Sequence, residues 1–144
     1  MKSNYLKYWK VIRYFIKAKY GLSTADLDML LFLYSEEYFD KGKFDEFNTL
    51  MGWNRETFER LRQEGWIEVF RKRHKRKRAI YCLSYKTKRI IKSIYNKLEG
   101  QEISTDPSTN PMFLKNVSYS DKVYRNMILK MNKLIRQQRH HSEK

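Results

Sequence analysis

The sequence predicts a mainly α fold with one small β-hairpin, an α+β chain, on three observations. Apolar residues recur at spacings of three and four along most of the chain, the period of an amphipathic helix. Only 5 Gly and 2 Pro in 144 residues leave few turns, so the helices should run long. Two runs of strand formers, 66–70 and 79–83, bracket the polar stretch 71–78, as in a hairpin. Hydrophobic residues at 41% and aromatics at 15% supply a core for one domain of this length and argue against disorder.

Residues 4–19 read as a helix in which Tyr5, Trp9, Ile12 and Ile16 form a stripe widened by Leu6 and Phe15. Gly21 stops it. Ser23 caps a second helix, with Asp26 and Asp28 in its early turns, where acids suit the helix dipole. Leu27, Leu30, Leu31 and Tyr34, with Leu33 beside them, are its expected buried face, and it should run to about Phe39. Residues 40–43 form a turn. Phe44, Phe47, Leu50 and Met51 then mark a short helix that Gly52 and Trp53 break. Asn54 caps the next one, 55–63, which turns Phe58 and Leu61 inward and closes at Gly65. Two short helices joined by a tight glycine turn make a helix-turn-helix arrangement.

Beyond the hairpin, Ser84 begins a helix with the stripe Ile90, Ile91, Ile94, Tyr95 and Leu98, ended by Gly100. Residues 102–116 hold both prolines among Ser, Thr, Asp and Asn and read as a linker. A last helix starts near Ser120. Tyr124, Met127, Met131, Leu134 and Gln138 alternate in steps of three and four, with Val123, Ile128 and Ile135 beside them. This helix has too little chain of its own to pack against. It is therefore expected to pair with the first helix of the same or a second subunit, and a homodimer is expected.

Charge is the strongest compositional signal: 31 Lys and Arg against 16 Asp and Glu, a net +15. Its distribution is uneven. Residues 26–68 hold 11 acids against five Lys or Arg, a balance of −6, whereas 69–98 hold 12 Lys or Arg and no acid. Seven of the eight residues of 71–78 are basic: Arg71, Lys72, Arg73, Lys75, Arg76, Lys77 and Arg78. Such a cluster attracts polyanions, nucleic acid before an anionic membrane surface. Four to six phosphate contacts imply a salt slope of roughly −4 to −5, and arginine is favoured in a narrow minor groove. A solvated loop and a localisation-type signal are the competing readings. The acidic region 26–68 is open to a protein partner.

Other chemistry is poorly supported. The chain has no Gly-rich phosphate loop, no Cys/His metal set and no nucleophile with a visible partner set, so neither catalysis nor a cofactor is expected. Cys82 alternates inside a strand and reads as a packed thiol; a lone cysteine fits a reducing compartment. The stretch after Met1, Lys2 and Ser3 lacks the apolar core of a signal peptide, and no run of about 18 apolar residues occurs. The expectation is a cytoplasmic protein without membrane association, from a bacterial cell or a phage-infected host.

Two short motifs carry a resemblance. Leu61-Arg62-Gln63-Glu64-Gly65-Trp66-Ile67-Glu68 resembles the exit from the recognition helix into the first wing strand of MarR-like winged helix-turn-helix regulators. Leu83-Ser84-Tyr85-Lys86-Thr87 is similar to that family's exit from the second wing strand, where a Leu-Thr/Ser pair caps the next helix. The resemblance implies a winged domain over 1–100, with helix-turn-helix 44–64 and wing 66–83, a linker at 101–118 and a dimerisation helix at 119–144. It implies double-stranded DNA as partner and regulation of transcription, with helix 54–64 in the major groove and the wing on the backbone or minor groove. Asn54, Arg55, Thr57, Arg60 and Gln63 would face the bases: Arg pairs with guanine, Gln with adenine, and Thr touches the thymine methyl. Lys86, Lys88 and Arg89 would extend the basic track. Two departures stand against base reading: only 12 residues separate Gly52 from Gly65, about a turn short of the family, and 26–68 is acidic. A structural or assembly protein of a nucleoid or virus particle, binding nucleic acid nonspecifically, is the rival reading. A replication or plasmid-maintenance factor is a third.

Overall fold

The computed structural model describes residues 5–52 and 54–142. The expected first helical residue Asn4, the tryptophan of the Gly52-Trp53 break and the first three residues lie outside them. The chain is mainly helical with a small three-stranded antiparallel sheet. It divides into two compact units, 24–92 and 1–23 with 93–144. The first helix packs with the last one, as their expected pairing requires, so it falls in the second unit and not with the hairpin as the bounds 1–100 had it.

The 24–92 unit runs α2 (Thr24–Glu36), β1 (Tyr38–Phe39), α3 (Lys41–Met51), α4 (Arg55–Gln63), β2 (Ile67–Arg71), β3 (Ile80–Leu83) and the start of α5 (Tyr85–Leu98). Strand β1 corrects the expectation that α2 continues to Phe39. Glu37 takes a φ of 61° and turns the chain off the helix. Tyr38 and Phe39 then pair with Cys82 and Tyr81 to give the sheet order β1-β3-β2. The expected turn 40–43 is instead the first turn of α3: the Asp40 carboxylate accepts from the Lys43 N–H at 2.9 Å, an N-cap.

Alternation along the strands sends Phe39, Ile67 and Tyr81 to the inner face of the sheet. Phe58 of α4 meets Tyr81 edge-on at 5.1 Å and Phe44 of α3 at 4.8 Å. Leu27, Leu30 and Leu33 of α2 and Leu61 of α4 are fully buried, as expected. Tyr34, expected inward, is exposed, and so are Leu50 and Met51. The aromatic cluster joins α3 and α4 to the strands, so the hairpin leaves a packed base.

In the other unit, α1 (Tyr5–Tyr20) packs on α6 (Tyr119–Ser142). The buried stripe of α1 is Tyr8, Val11, Ile12, Phe15 and Ile16, while Leu6 is 86% exposed. The stripe is therefore rotated from the expected one. Tyr14 stacks on Tyr124 at 3.9 Å and donates to Asp121 at 2.6 Å. Burial, then the Asp121 hydrogen bond, pushes its phenol pKa up to about 12.

The segment expected to be a linker is a packed strap. Asn132 of α6 accepts from the Ile103 N–H at 3.0 Å and donates to the Ile103 carbonyl at 2.8 Å. Ile103, Asn110 and Met112 are buried, and Pro111–Phe113 forms a 3₁₀ turn capped by Asn110. On α6, Ile128, Met131 and Ile135 are buried, whereas Val123, Met127 and Leu134 are partly exposed.

Candidate nucleic-acid interface

The basic stretch folds as a regular hairpin. His74 and Lys77 bridge the arms through reciprocal backbone hydrogen bonds of 3.2 and 2.9 Å, which places Lys75 and Arg76 at the tip. Lys75 takes a φ of 53°, the left-handed conformation that tight hairpin turns require and Asn or Gly usually supply. A register irregularity between Val69 and Arg71 is the kind of bulge that increases local twist and re-aims the side chains beyond it.

All eight residues of 71–78 are exposed. Among the described residues, none of the seven cations there makes an ion pair; Arg71 reaches only the Arg78 carbonyl, at 3.4 Å. The Arg78 guanidinium lies over Gly42, where a Cβ would come within 2.6 Å of it. Arg78, Arg73 and Lys41 thus share an open cleft of about 400 Å³ between the hairpin and the start of α3.

The base of the hairpin is tied down. Ser84 donates its N–H to the Trp66 carbonyl at 3.1 Å, and the Thr87 hydroxyl donates to the same carbonyl at 2.7 Å. The Ser84 hydroxyl accepts from the Thr87 N–H at 3.3 Å, capping α5. Lys86 lies 4.0 Å above the Trp66 ring and Arg89 is 5.8 Å from the Tyr85 ring. Lys86, Lys88 and Arg89 are exposed in the first turns of α5, where three cations oppose the helix dipole and favour an external anion.

The second group of expected site residues has a different environment. Asn54 spends its side chain as the α4 N-cap, accepting from the Glu56 N–H at 2.7 Å. Arg55 is bidentate to Asp45 at 3.0 and 2.7 Å. Arg60 pairs with the buried Asp26 at 2.6 Å and with Glu64 at 3.2 Å. Glu59 pairs with Arg62 at 2.9 Å and Lys41 at 3.3 Å. These hydrogen bonds raise the Arg55 and Arg60 pKa values. Glu59 is held below the usual carboxylate range, by Arg62 first and Lys41 next. Thr57 is half-buried and Gln63 is exposed.

The acidity of 26–68 is also partly neutralised within the chain: Asp26, Asp45, Glu46, Glu59 and Glu64 all sit in ion pairs. The sequence could not show that the arginines of α4 were taken, because Asp26 lies 34 residues from Arg60.

Cys82 is buried 3.8 Å from Glu68, and burial raises its thiol pKa. Among the described residues no three His, Cys, Asp or Glu side chains come together to hold a metal, and no helix is long and apolar enough to cross a membrane. Comparison with family models, with curated proteins and with solved structures finds no match.

Proposed function

We propose that this chain is a winged helix-turn-helix protein that binds double-stranded DNA through the hairpin 71–78 and acts as a non-enzymatic regulator of transcription. One observation carries the reading. Seven cations project from a hairpin anchored on a packed sheet, and none has an acidic partner among the described residues. Unpaired cations on a rigid support lose little on meeting phosphates and release counterions from the duplex.

The element order α2-β1-α3-α4-β2-β3 follows that of a winged helix. The narrower MarR-like likeness draws support from the two motifs. At the α4 exit, Gly65 has a φ of 87° and the Trp66 N–H reaches the Leu61 carbonyl at 2.9 Å. At the α5 entry, Ser84 and Thr87 form the cap described above. In this reading the hairpin grips backbone or minor groove, Lys86, Lys88 and Arg89 extend the track, and α4 approaches the major groove with Gln63 and Thr57. A two-fold dimer belongs to the same reading, through the partly exposed Val123, Met127 and Leu134 of α6.

A second reading is favoured by the ion pairs of α4. With Arg55 and Arg60 committed to Asp45 and Asp26, little remains to read bases, as suits an architectural or assembly protein that binds nucleic acid without sequence preference.

Selection of bound duplexes from a random library at about 150 mM salt distinguishes the two, because specific binding exceeds nonspecific binding by about 10³ or more. A regulator yields an enriched, palindromic site that is lost when Arg73, Lys75, Arg76 and Lys77 are all changed to Ala. Binding without enrichment supports the architectural reading. Absence of binding by the unmodified chain overturns both.

A further inference from the structure

A second cleft in the 24–92 unit, of about 520 Å³, is lined by Tyr34, Ser35, Glu37, Tyr38, Leu83 and Lys88. It opens where α2 ends and β1 begins, beside β3 and the first turns of α5. Its chemistry differs from the cationic cleft at Arg73 and Arg78. Two phenol rings, 36% and 52% exposed at Tyr34 and Tyr38, line it together with the buried Leu83. The Tyr38 ring lies 4.5 Å from that of Phe70, tilted against it. Glu37 is the only acid among the lining residues and Lys88 the only base. Neither side chain has an ion-pair or hydrogen-bond partner among the described residues.

The backbone makes the carboxylate's position notable. Glu37 holds a φ of 61°, a left-handed conformation that is unfavourable for a non-glycine residue. Glycine would relieve that cost, yet the position carries the cleft's one carboxylate. Strain retained beside a cleft motivates a functional hypothesis for the residue.

Two aromatic rings, a lone acceptor-only carboxylate and a cation lining one cleft match the three parts of a nucleotide. Aromatic rings stack on any base. A carboxylate accepts only, so it selects a base edge with adjacent donors. On its Watson–Crick edge guanine offers N1–H and N2–H side by side. Adenine and cytosine each place an acceptor next to their amino group, and uracil flanks its single N–H with two carbonyls.

We infer that this cleft binds a guanine nucleotide, with the base against Tyr38 and Tyr34, its N1–H and N2–H on Glu37, and its phosphate on Lys88. The same chemistry is available from a free nucleotide and from an unstacked guanine in a strand. The inference does not depend on the duplex reading of the hairpin.

The test is calorimetric titration of the full chain with GMP, AMP, CMP, UMP and guanosine, repeated on Glu37→Gln, Tyr38→Ala and Lys88→Gln, each checked for an unchanged melting curve. GMP is expected to bind at least about tenfold more tightly than the other three nucleotides, the scale of one bidentate contact. Glu37→Gln removes that preference, Tyr38→Ala weakens all four, and Lys88→Gln brings GMP down to the affinity of guanosine. A short thymidine strand with one central guanine then separates the sources. Binding at least about tenfold tighter than GMP assigns the cleft to a strand, and weaker or equal binding assigns it to the free nucleotide. The proposal is overturned if neither GMP nor the guanine in the strand adds binding, if the four bases bind alike, or if Glu37→Gln keeps the preference. The fourfold hairpin variant keeps GMP binding if the two sites are separate. A chain that binds GMP but no duplex overturns the earlier reading and leaves this one standing.

Discussion

The hairpin 71–78 and helix α4 stand next to each other in sequence and carry the two groups of basic residues expected to meet DNA, yet their cations are in opposite states. Those of the hairpin are exposed and unpaired among the described residues, while Arg55, Arg60 and Arg62 of α4 are each held by a carboxylate. A cation already paired must break that pair before it serves a ligand, and Arg60 would leave behind a carboxylate that is 4% exposed. The same residue type is thus a binding group in one element and a structural group in the other. Position in a motif does not distinguish them; the partner does.

Changing Arg73, Lys75, Arg76 and Lys77 together to Ala has the largest expected effect. Duplex affinity at about 150 mM salt should fall at least about 100-fold and the salt slope should flatten by roughly three to four, with the melting temperature unchanged. Filter binding over a salt series measures both. An affinity drop smaller than about threefold would remove the hairpin from the interface.

Next comes Arg60→Ala, which should lower unfolding stability by about 1–3 kcal/mol, because Asp26 loses its charged partner in a buried setting. The solvent exposure of Arg60 places the value toward the lower end. Urea denaturation reads this loss, and duplex affinity measured on the folded fraction should stay within about threefold. If binding instead collapses while stability holds, Arg60 is a DNA contact and the contrast between the two elements is wrong.

Arg55→Ala should cost less, about 0.2–1 kcal/mol, since both partners of the Arg55–Asp45 pair are exposed. It too should leave duplex affinity nearly unchanged.

The smallest effect concerns acid. The folded Glu59 carboxyl is held below its ordinary value of 4.5, so its contribution is present above pH 4.5 and is lost as pH falls through the lower folded pKa. Comparing Glu59→Gln with the parent should show a few tenths of a kcal/mol at neutral pH that fades below pH 4.5. Equal acid sensitivity in the two chains would mean that the Arg62 and Lys41 contacts contribute nothing to stability.

Local elements of the fold could be read directly from the chain. Asn54 as a cap, Gly52 and Gly65 as left-handed ends, Ser84 before α5 and the two apolar runs around the basic stretch all appear as expected. Each depends on neighbours within a few residues. Strand β1 was not visible. Two residues have no periodicity, and Tyr38 and Phe39 become a strand only by pairing with Cys82 and Tyr81. The polar composition of 102–116 suggested a free linker, but Asn132, 29 residues from Ile103, clasps its backbone and turns it into a packed strap.

Charge distribution, the helix ends at Gly52, Asn54, Gly65 and Ser84, and the hairpin were therefore settled by the order of residues, because a cap, a turn or a run of like charge acts over one or two turns of chain. Which arginines stay unpaired, which face of α1 is buried, and where Glu37 and Lys88 come to face one cleft were settled only by tertiary structure. Ion pairs and burial depend on distance in space: Asp26 and Arg60 are far apart along the chain and meet only after the sheet and helices have packed, and the same packing puts Glu37 and Lys88 on the lining of one cleft.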